Sequence, residues 1–298
     1  MKPKIIYIAG YGRSGSTVVD IMLGMHPEIF GAGELSTMCR HVWRENEYCA
    51  CGARLNECDV WEPVMKRWTK ECDPDDYFAL QRSIEPLYAP GRMIGGAKLE
   101  AYLNMSRAMF SAIRDQTGQP IILDSSKAPG RALALASDPK IDLRVIHLVR
   151  DARAVAHALG RAIPVDVAQG VQKKIVPRSP LRTALRWRMY NSVAERLRTR
   201  LAPNRSVRVR YEDISRNPLA ELKRISSAVD VDLTEVGSQI SQGAKIVPAH
   251  QMAGSRLRMK GPMALRYNSD WETEMPKAAK RQVELITGAQ LWRYGYSE

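Results

Sequence analysis

The sequence predicts an α/β protein: a P-loop-like three-layer fold with a central parallel sheet flanked by helices. Three observations carry that expectation. The chain opens on an apolar run, KIIYIA at 4–9, which leads through a glycine-containing loop into an apolar helix. Further strand-like runs recur at 120–124 (PIILD), 143–149 (LRVIHLV) and 206–211 (SVRVRY), the last alternating as an edge strand does. Helical stretches fall around them, near 61–71, 76–88, 98–117, 151–162, 181–201, 217–229 and 276–287. Strands spaced that widely by helices need crossovers, which put helices on both faces of a parallel sheet.

The first element pair carries the chemistry. GYGRSGSTVV, Gly10 to Val19, places Gly10 and Gly15 five apart with Ser16 and Thr17 behind them, and Ser16 to Met25 reads as a helix ended by His26-Pro27. A strand-to-helix turn of this kind points several backbone N–H groups at one spot, where the helix dipole adds positive potential. A nucleotide hydrolase requires lysine after the second glycine to reach the terminal phosphates, and that position is Ser16. Arg13 inside the loop supplies instead a planar cation that grips two oxygens at once. The loop suits an anion held by hydrogen bonds and charge rather than by a metal.

Composition narrows the partners. The 298 residues carry 45 basic and 32 acidic side chains, a net charge of +13 that favours anionic ligands. The densest basic stretches, KKIVPRSP at 173–180 and RLRMKG at 256–261, contain no aromatic residue, which speaks against nucleic acid as a partner. The N-terminal apolar run is too short for a membrane span or a signal segment, so a cytoplasmic protein without an integral membrane segment is expected. All five cysteines, Cys39, Cys49, Cys51, Cys58 and Cys72, fall in the first quarter of the chain. Cys49, Cys51 and Cys58 lie close together, and Cys39, His41 or Cys72 could complete a zinc site. Their C-x-C spacing is not the usual C-x2-C knuckle, so buried or free thiols are the expected state and no metal ligands are assigned.

GYGRSGSTVVDIMLGMHPEIFGAGEL resembles the front of the sulfotransferases that use 3′-phosphoadenosine 5′-phosphosulfate (PAPS), in particular their tyrosylprotein and carbohydrate branches. The resemblance implies that Arg13, Ser14, Gly15, Ser16 and Thr17 cradle the 5′-phosphosulfate. It aligns Glu34 of GAGEL with an acidic residue that is the catalytic base of the tyrosylprotein enzymes. From the residues alone Glu34 could equally start or cap a helix. Lys127 in IILDSSKAPGRA matches a family lysine before a proline, where an ammonium would neutralise charge on the bridging oxygen; the alternative is a surface lysine opening a helix. With Arg13 these make the expected catalytic set, Glu34, Lys127 and Arg13.

VIHLVRDARAVAHALGRA resembles the family's second signature, in which Arg150 would bind the 3′-phosphate; a helix-start ion pair of Arg150–Arg153 with Asp151 is the alternative. The family's serine eight residues after that arginine is Ala158 here, and Arg161 stands where some relatives carry a second arginine. VRYEDISRNP resembles the segment whose tyrosine packs near the adenine, implying Tyr211, which a core position at a strand end would also explain. AGSRLRMKGPMAL and DWETEMP resemble the closing loop and tryptophan turn of bacterial members. The resemblance implies that Ser255, Arg256, Arg258, Lys260 and Gly261 lie over the nucleotide.

It spans residues 5–271 and implies one sulfotransferase domain over 1–298, with a helical, cysteine-containing insert at about 40–120 and a nucleotide-closing loop at about 243–271. Segments 163–180 and 243–270 lack periodicity and are candidate substrate loops; 40–120 and 163–200 diverge and would shape the acceptor pocket. The expected reaction is metal-independent sulfuryl transfer from PAPS to a hydroxyl, less favourably an amine, leaving 3′-phosphoadenosine 5′-phosphate. The acceptor, a small molecule, carbohydrate or lipid, and the oligomeric state are not encoded legibly. A P-loop kinase or NTPase with a degenerate loop, or an inactive nucleotide-binding relative, are the competing classes.

Overall fold

The computed structural model describes residues 2–86, 96–166, 171, 174 and 176–296. Five strands form one sheet: β1 (Lys4–Gly10), β2 (Ile29–Gly33), β3 (Ile121–Lys127), β4 (Asp142–Val149) and β5 (Ser206–Arg210). Their order is β2-β3-β1-β4-β5 and every pairing is parallel, with Ile6 of β1 opposite Leu123 and Arg144. The expected α/β architecture is therefore present, and β5 is the edge strand that its alternation suggested.

The helices are α1 (Ser16–Leu23), α2 (Trp61–Trp68), α3 (Pro74–Ile84), α4 (Ala97–Thr117), α5 (Pro129–Ala136), α6 (Ala152–Leu159), α7 (Pro180–Arg200), α8 (Tyr211–Arg216), α9 (Pro218–Val229), α10 (Thr234–Ser241), α11 (Trp271–Glu274) and α12 (Lys277–Arg293). Central β1 is buried on both faces, which is why it reads as an unbroken apolar run. Its side chains alternate between two cores. Ile5, Tyr7 and Ala9 meet the helices of the 61–136 region, whereas Ile6 and Ile8 meet α1, α9 and α10. A third cluster joins Tyr11 and Val149 to Trp187, Trp271 and Leu291 beside the β4 end of the sheet.

Several expected boundaries move, each for a local reason. β3 runs on to Lys127 rather than stopping at 124, because its polar end stays in the ladder with β1. The strand expected at 206–211 ends at Arg210, because Tyr211 opens the short helix α8, and the helix expected at 217–229 starts at Pro218: the proline cannot continue α8 and serves as the first residue of α9, with Asn217 Oδ1 accepting the Ala220 N–H. Helices α5, α8, α10 and α11 were not anticipated; α5 begins at Pro129, two residues after Lys127. The last two residues of the helix expected at 76–88, and 167–170, 172–173 and 175 of the loop expected at 163–180, lie outside the described residues. Among the described residues no helix is long and apolar enough to cross a membrane.

A buried ion pair joins the 61–136 helices to the sheet. Arg131 on α5, 1% exposed, donates from Nε to Asp124 of β3 at 2.7 Å. Its Nη1 donates to Tyr77 Oη of α3 at 2.9 Å and Tyr102 Oη of α4 at 2.7 Å. Asp124 Oδ1 also accepts the Ser126 N–H at 3.0 Å, so one network fixes three helices and the strand end carrying Lys127. Removing one member of a buried pair strands its partner's charge. Arg131→Met should lower folding stability by about 3–5 kcal/mol in urea titration, and adding Asp124→Leu should recover most of that loss.

Candidate functional site

In a parallel sheet all strands deliver their carboxyl ends to one edge, and ligands of open α/β sheets bind there. That edge opens into a cleft of about 1010 Å³ lined by Arg13, Gly15, Ser16, Thr17, Glu34, Lys127, Arg150 and Tyr211 from the ends of all five strands, together with Ser255, Arg256 and Arg258. Most of the residues expected from sequence are thus assembled.

The loop after β1 has the shape of an anion cradle. Arg13 adopts a left-handed backbone at φ 65° and Gly15 follows at φ 89°. A Cβ at Gly15 would lie 2.1 Å from the Tyr211 ring, so only glycine lets that ring close on the loop. Arg150 reaches the same place: its Nη1 donates to the Arg13 carbonyl at 3.1 Å, its guanidinium lies 5.2 Å from the Tyr211 ring centroid, and Trp187 Nε1 donates to its carbonyl at 3.0 Å. Burial lowers the pKa of Arg13, and Arg256, Arg178 and Arg150 push it the same way, with Glu34 opposing. Four guanidinium groups share this end of the cleft, an arrangement that suits a multiply charged anion.

Facing the loop, Glu34 and Lys127 form an ion pair with Nζ–Oε1 of 2.8 Å. Lys127 is 11% exposed and Glu34 22%, so both are partly shielded yet open to the cleft. Lys127 also donates to the Ser125 carbonyl at 2.6 Å, and its φ of 63° turns the chain out of β3. The carboxylate of Glu34 makes no capping hydrogen bond to the turn that follows it, and Lys127 is neither exposed nor within α5. Asp151, rather than pairing with Arg150, caps α6 and binds Arg153 at 2.7 Å.

Other expectations are met differently. Ser14 is buried, its Oγ has no hydrogen-bond partner, and it does not line the cleft. Lys260 and Gly261 also lie outside the lining, although Met263, Ala264, Leu265 and Arg266 beyond them belong to it. Arg258 lines the cleft but is buried, donating to the Tyr48 and Ser255 carbonyls at 3.2 and 3.5 Å. Arg161 is ion-paired with Glu274, which also meets His157 Nε2 at 3.2 Å. Arg178, which lay unremarked within a basic loop, also lines the cleft, its N–H donating to the Leu159 carbonyl and Nη1 to Tyr11 Oη. His41 and Glu47, 2.5 Å apart, form the wall beyond Glu34.

A segment at 249–258 straps these parts together. Met252 pairs with Gly33 and exchanges hydrogen bonds with Ala32 and Glu34; Ser255 N–H donates to Thr17 Oγ1 at 3.2 Å. The cysteine cluster also meets the strap. Cys49, Cys51 and Cys58 gather around His250, whereas Cys39 and Cys72 stay buried elsewhere and His41 is taken by Glu47.

Comparison with known proteins bears on family and fold. A sequence model described as the sulfotransferase family matches residues 3–235. Carbohydrate sulfotransferase 6 of Homo sapiens is 28% identical over 95% of this chain and 78% of its own length. Carbohydrate sulfotransferase 5 of Mus musculus is also 28% identical, with the same two coverages. Among solved structures, the sulfotransferase domain from the curacin biosynthetic pathway superposes with a TM-score of 0.53 at 19% identity, covering 97% of each chain. The sulfotransferase domain of the Synechococcus PCC 7002 olefin synthase gives 0.51 at 20% identity, covering 99% of this chain and 95% of that one. At such identities the two structures bear on fold alone.

Beneath the loop, Asp20 of α1 is fully buried and accepts the Gly33 N–H at 3.1 Å. Burial pushes its carboxyl up to about 7 from 3.8. Between those values the folded chain keeps a proton that the unfolded chain has released. Stability from this group is therefore greatest below about pH 4 and declines as pH rises to about 7. Asp20→Asn should remove that slope: the stability difference, variant minus wild type, should become more favourable at pH 8 than at pH 5 in urea titrations.

Proposed function

The chain belongs to the sulfotransferase family, and from that premise we propose that it transfers a sulfuryl group from PAPS to a hydroxyl group, with Glu34 as general base. The observation that carries this reading is the convergence, in one cleft, of the Arg13 loop with the Glu34–Lys127 pair. The loop fits a phosphosulfate: a left-handed arginine crowded by three other guanidinium groups, with glycine packed on Tyr211, leaves positive charge unneutralised at a helix start.

Glu34 accepts the acceptor's hydroxyl proton through Oε2, since Oε1 receives the Lys127 ammonium. Protonation of Glu34 frees the Lys127 charge at the moment negative charge grows on the leaving oxygen. Arg13 and the loop amides share that charge. The donor supplies an activated sulfuryl group; positioning and charge stabilisation are what the chain adds, as in phosphoryl transfer.

Arg150 takes the 3′-phosphate and Tyr211 borders the adenine side, as the family resemblance implies. Ala158 lines the cleft without a hydroxyl to offer, and Arg161 is already paired with Glu274. Arg178, hydrogen-bonded beside Leu159, is the cation that substitutes. A carbohydrate acceptor is supported by the names of the relatives, and it enters past Thr37, His41 and Glu47.

Calorimetry tests the nucleotide reading. 3′-Phosphoadenosine 5′-phosphate should bind without Mg²⁺ and ATP poorly; tight Mg-ATP binding with none of the bisphosphate would instead support a kinase or NTPase. Glu34→Ala should reduce turnover by about 10²–10⁴-fold while leaving bisphosphate affinity within about threefold. Near-normal turnover would remove Glu34 as base. Mass spectrometry of oligosaccharides incubated with PAPS should show the gain of one sulfuryl group.

A further inference from the structure

Three thiols and one imidazole from opposite ends of the chain meet outside the cleft. Cys49 and Cys51 come from a tight turn closed by the Cys49 N–H donating to the Ala53 carbonyl and the Gly52 N–H to the Cys49 carbonyl. Cys58 precedes α2, and His250 lies 192 residues further on, in the strap. All four ligand atoms lie within 4.8 Å of one another. Cys51 Sγ is 3.8 Å from Cys58 Sγ, and His250 Nδ1 lies 3.4 Å from Cys58 Sγ and 3.7 Å from Cys49 Sγ.

Those separations match the edges of a coordination tetrahedron. Zinc–sulfur bonds of about 2.3 Å and zinc–nitrogen bonds of about 2.0–2.1 Å give S···S edges of about 3.8 Å and S···N edges of about 3.6 Å. A Cys51–Cys58 disulfide would need the sulfurs at about 2.05 Å. The surroundings suit a thiolate-rich site. The Trp61 N–H donates to Cys58 Sγ at 3.5 Å, Trp61 Nε1 donates to the His250 carbonyl at 2.6 Å, and Cys49 and Cys58 are shut off from solvent.

We propose that Cys49, Cys51, Cys58 and His250 form a closed Cys3His site for one zinc ion, whose role is to fix the 249–258 strap. Four protein ligands fill a tetrahedron and leave no open position, the mark of a structural rather than a catalytic site. Soft thiolates with imidazole select zinc over the oxygen-loving divalent cations. The position of the site explains its role. One residue beyond His250, Gln251 accepts the Ala50 N–H at its carbonyl, and Met252 then bridges both Cys49 and Gly33. The strap continues over Glu34 and Thr17 to Arg258, which ties back to the Tyr48 carbonyl beside the cysteine turn. The metal thus closes a ring of contacts that begins and ends at the turn and passes over the edge of the cleft. This inference is independent of the donor and acceptor proposed above.

The full chain, purified under reducing conditions and supplied with zinc alone, should retain one zinc per chain by plasma mass spectrometry. X-ray absorption should show three sulfur ligands and one nitrogen. Cys58→Ala and His250→Ala should each weaken zinc binding by more than about tenfold, whereas Cys72→Ala should keep full occupancy. Should the ligand variants misfold, the wild-type chain still decides the matter: chelation should speed amide hydrogen exchange across 249–258 while leaving β1 and β4 protected. Less than about a tenth of an equivalent of zinc after reconstitution, or a Cys51–Cys58 disulfide in the native protein, would overturn the site. Unchanged exchange in the strap after metal removal would overturn its positioning role.

Discussion

The carboxyl edge of this sheet is organised by one close approach of backbone to backbone, at Gly33. A Cβ there would sit 2.1 Å from the Met252 carbonyl oxygen, and φ is +78°, so the position admits glycine and little else. Because the two backbone segments touch, the Glu34 N–H can donate to the Met252 carbonyl at 2.9 Å and the strap can lie over the start of α1. Glu34, Thr17, Ser255 and the cysteine turn are then held in one frame although they are drawn from both ends of the sequence. Asp20 supports the same contact from below by accepting the Gly33 N–H.

Charge is arranged around that frame with a consistent logic. Away from the cleft, two arginines are matched by acids: buried Arg131 meets Asp124 and two tyrosine hydroxyls, and partly exposed Arg153 meets Asp151 and Glu284. A buried pair without good geometry would be costly, and these have it. At the cleft the pattern reverses. Arg13, Arg150, Arg178 and Arg256 stand together, and the nearby acid, Glu34, is engaged by Lys127. Like charges held this close repel one another unless an anion lies between them. The preorganised cations are the feature that sulfuryl transfer asks of its protein.

Much of this was legible in the order of residues. The N-terminal run, its glycine loop and the later strands announced a parallel sheet because apolar runs and glycine turns are local signals. Ser16 in the position of the P-loop lysine, with Arg13 inside the loop, pointed to an anion held without that lysine, and Glu34, Lys127, Arg150 and Tyr211 each lie at a strand end. The resemblance to sulfotransferases added their expected roles. Local rules failed where long-range contact decides. Ser14 sits in the right loop yet its side chain is buried, and Arg161 is claimed by a glutamate 113 residues away. Arg178 had no signal beyond belonging to a basic stretch.

The sequence by itself determined the class of fold, the anion loop and the strand ends at which the candidate site residues lie. Those depend on short-range periodicity and on glycine, which act within a few residues. Tertiary structure alone decided which side chains share a space. It brought His250 to Cys49, Cys51 and Cys58 in place of the nearer candidates Cys39, His41 and Cys72, and it joined Lys127 to Glu34 across 93 positions. No local rule carries such pairings, because they arise when a parallel sheet gathers its strand ends and a distant strap is drawn across them.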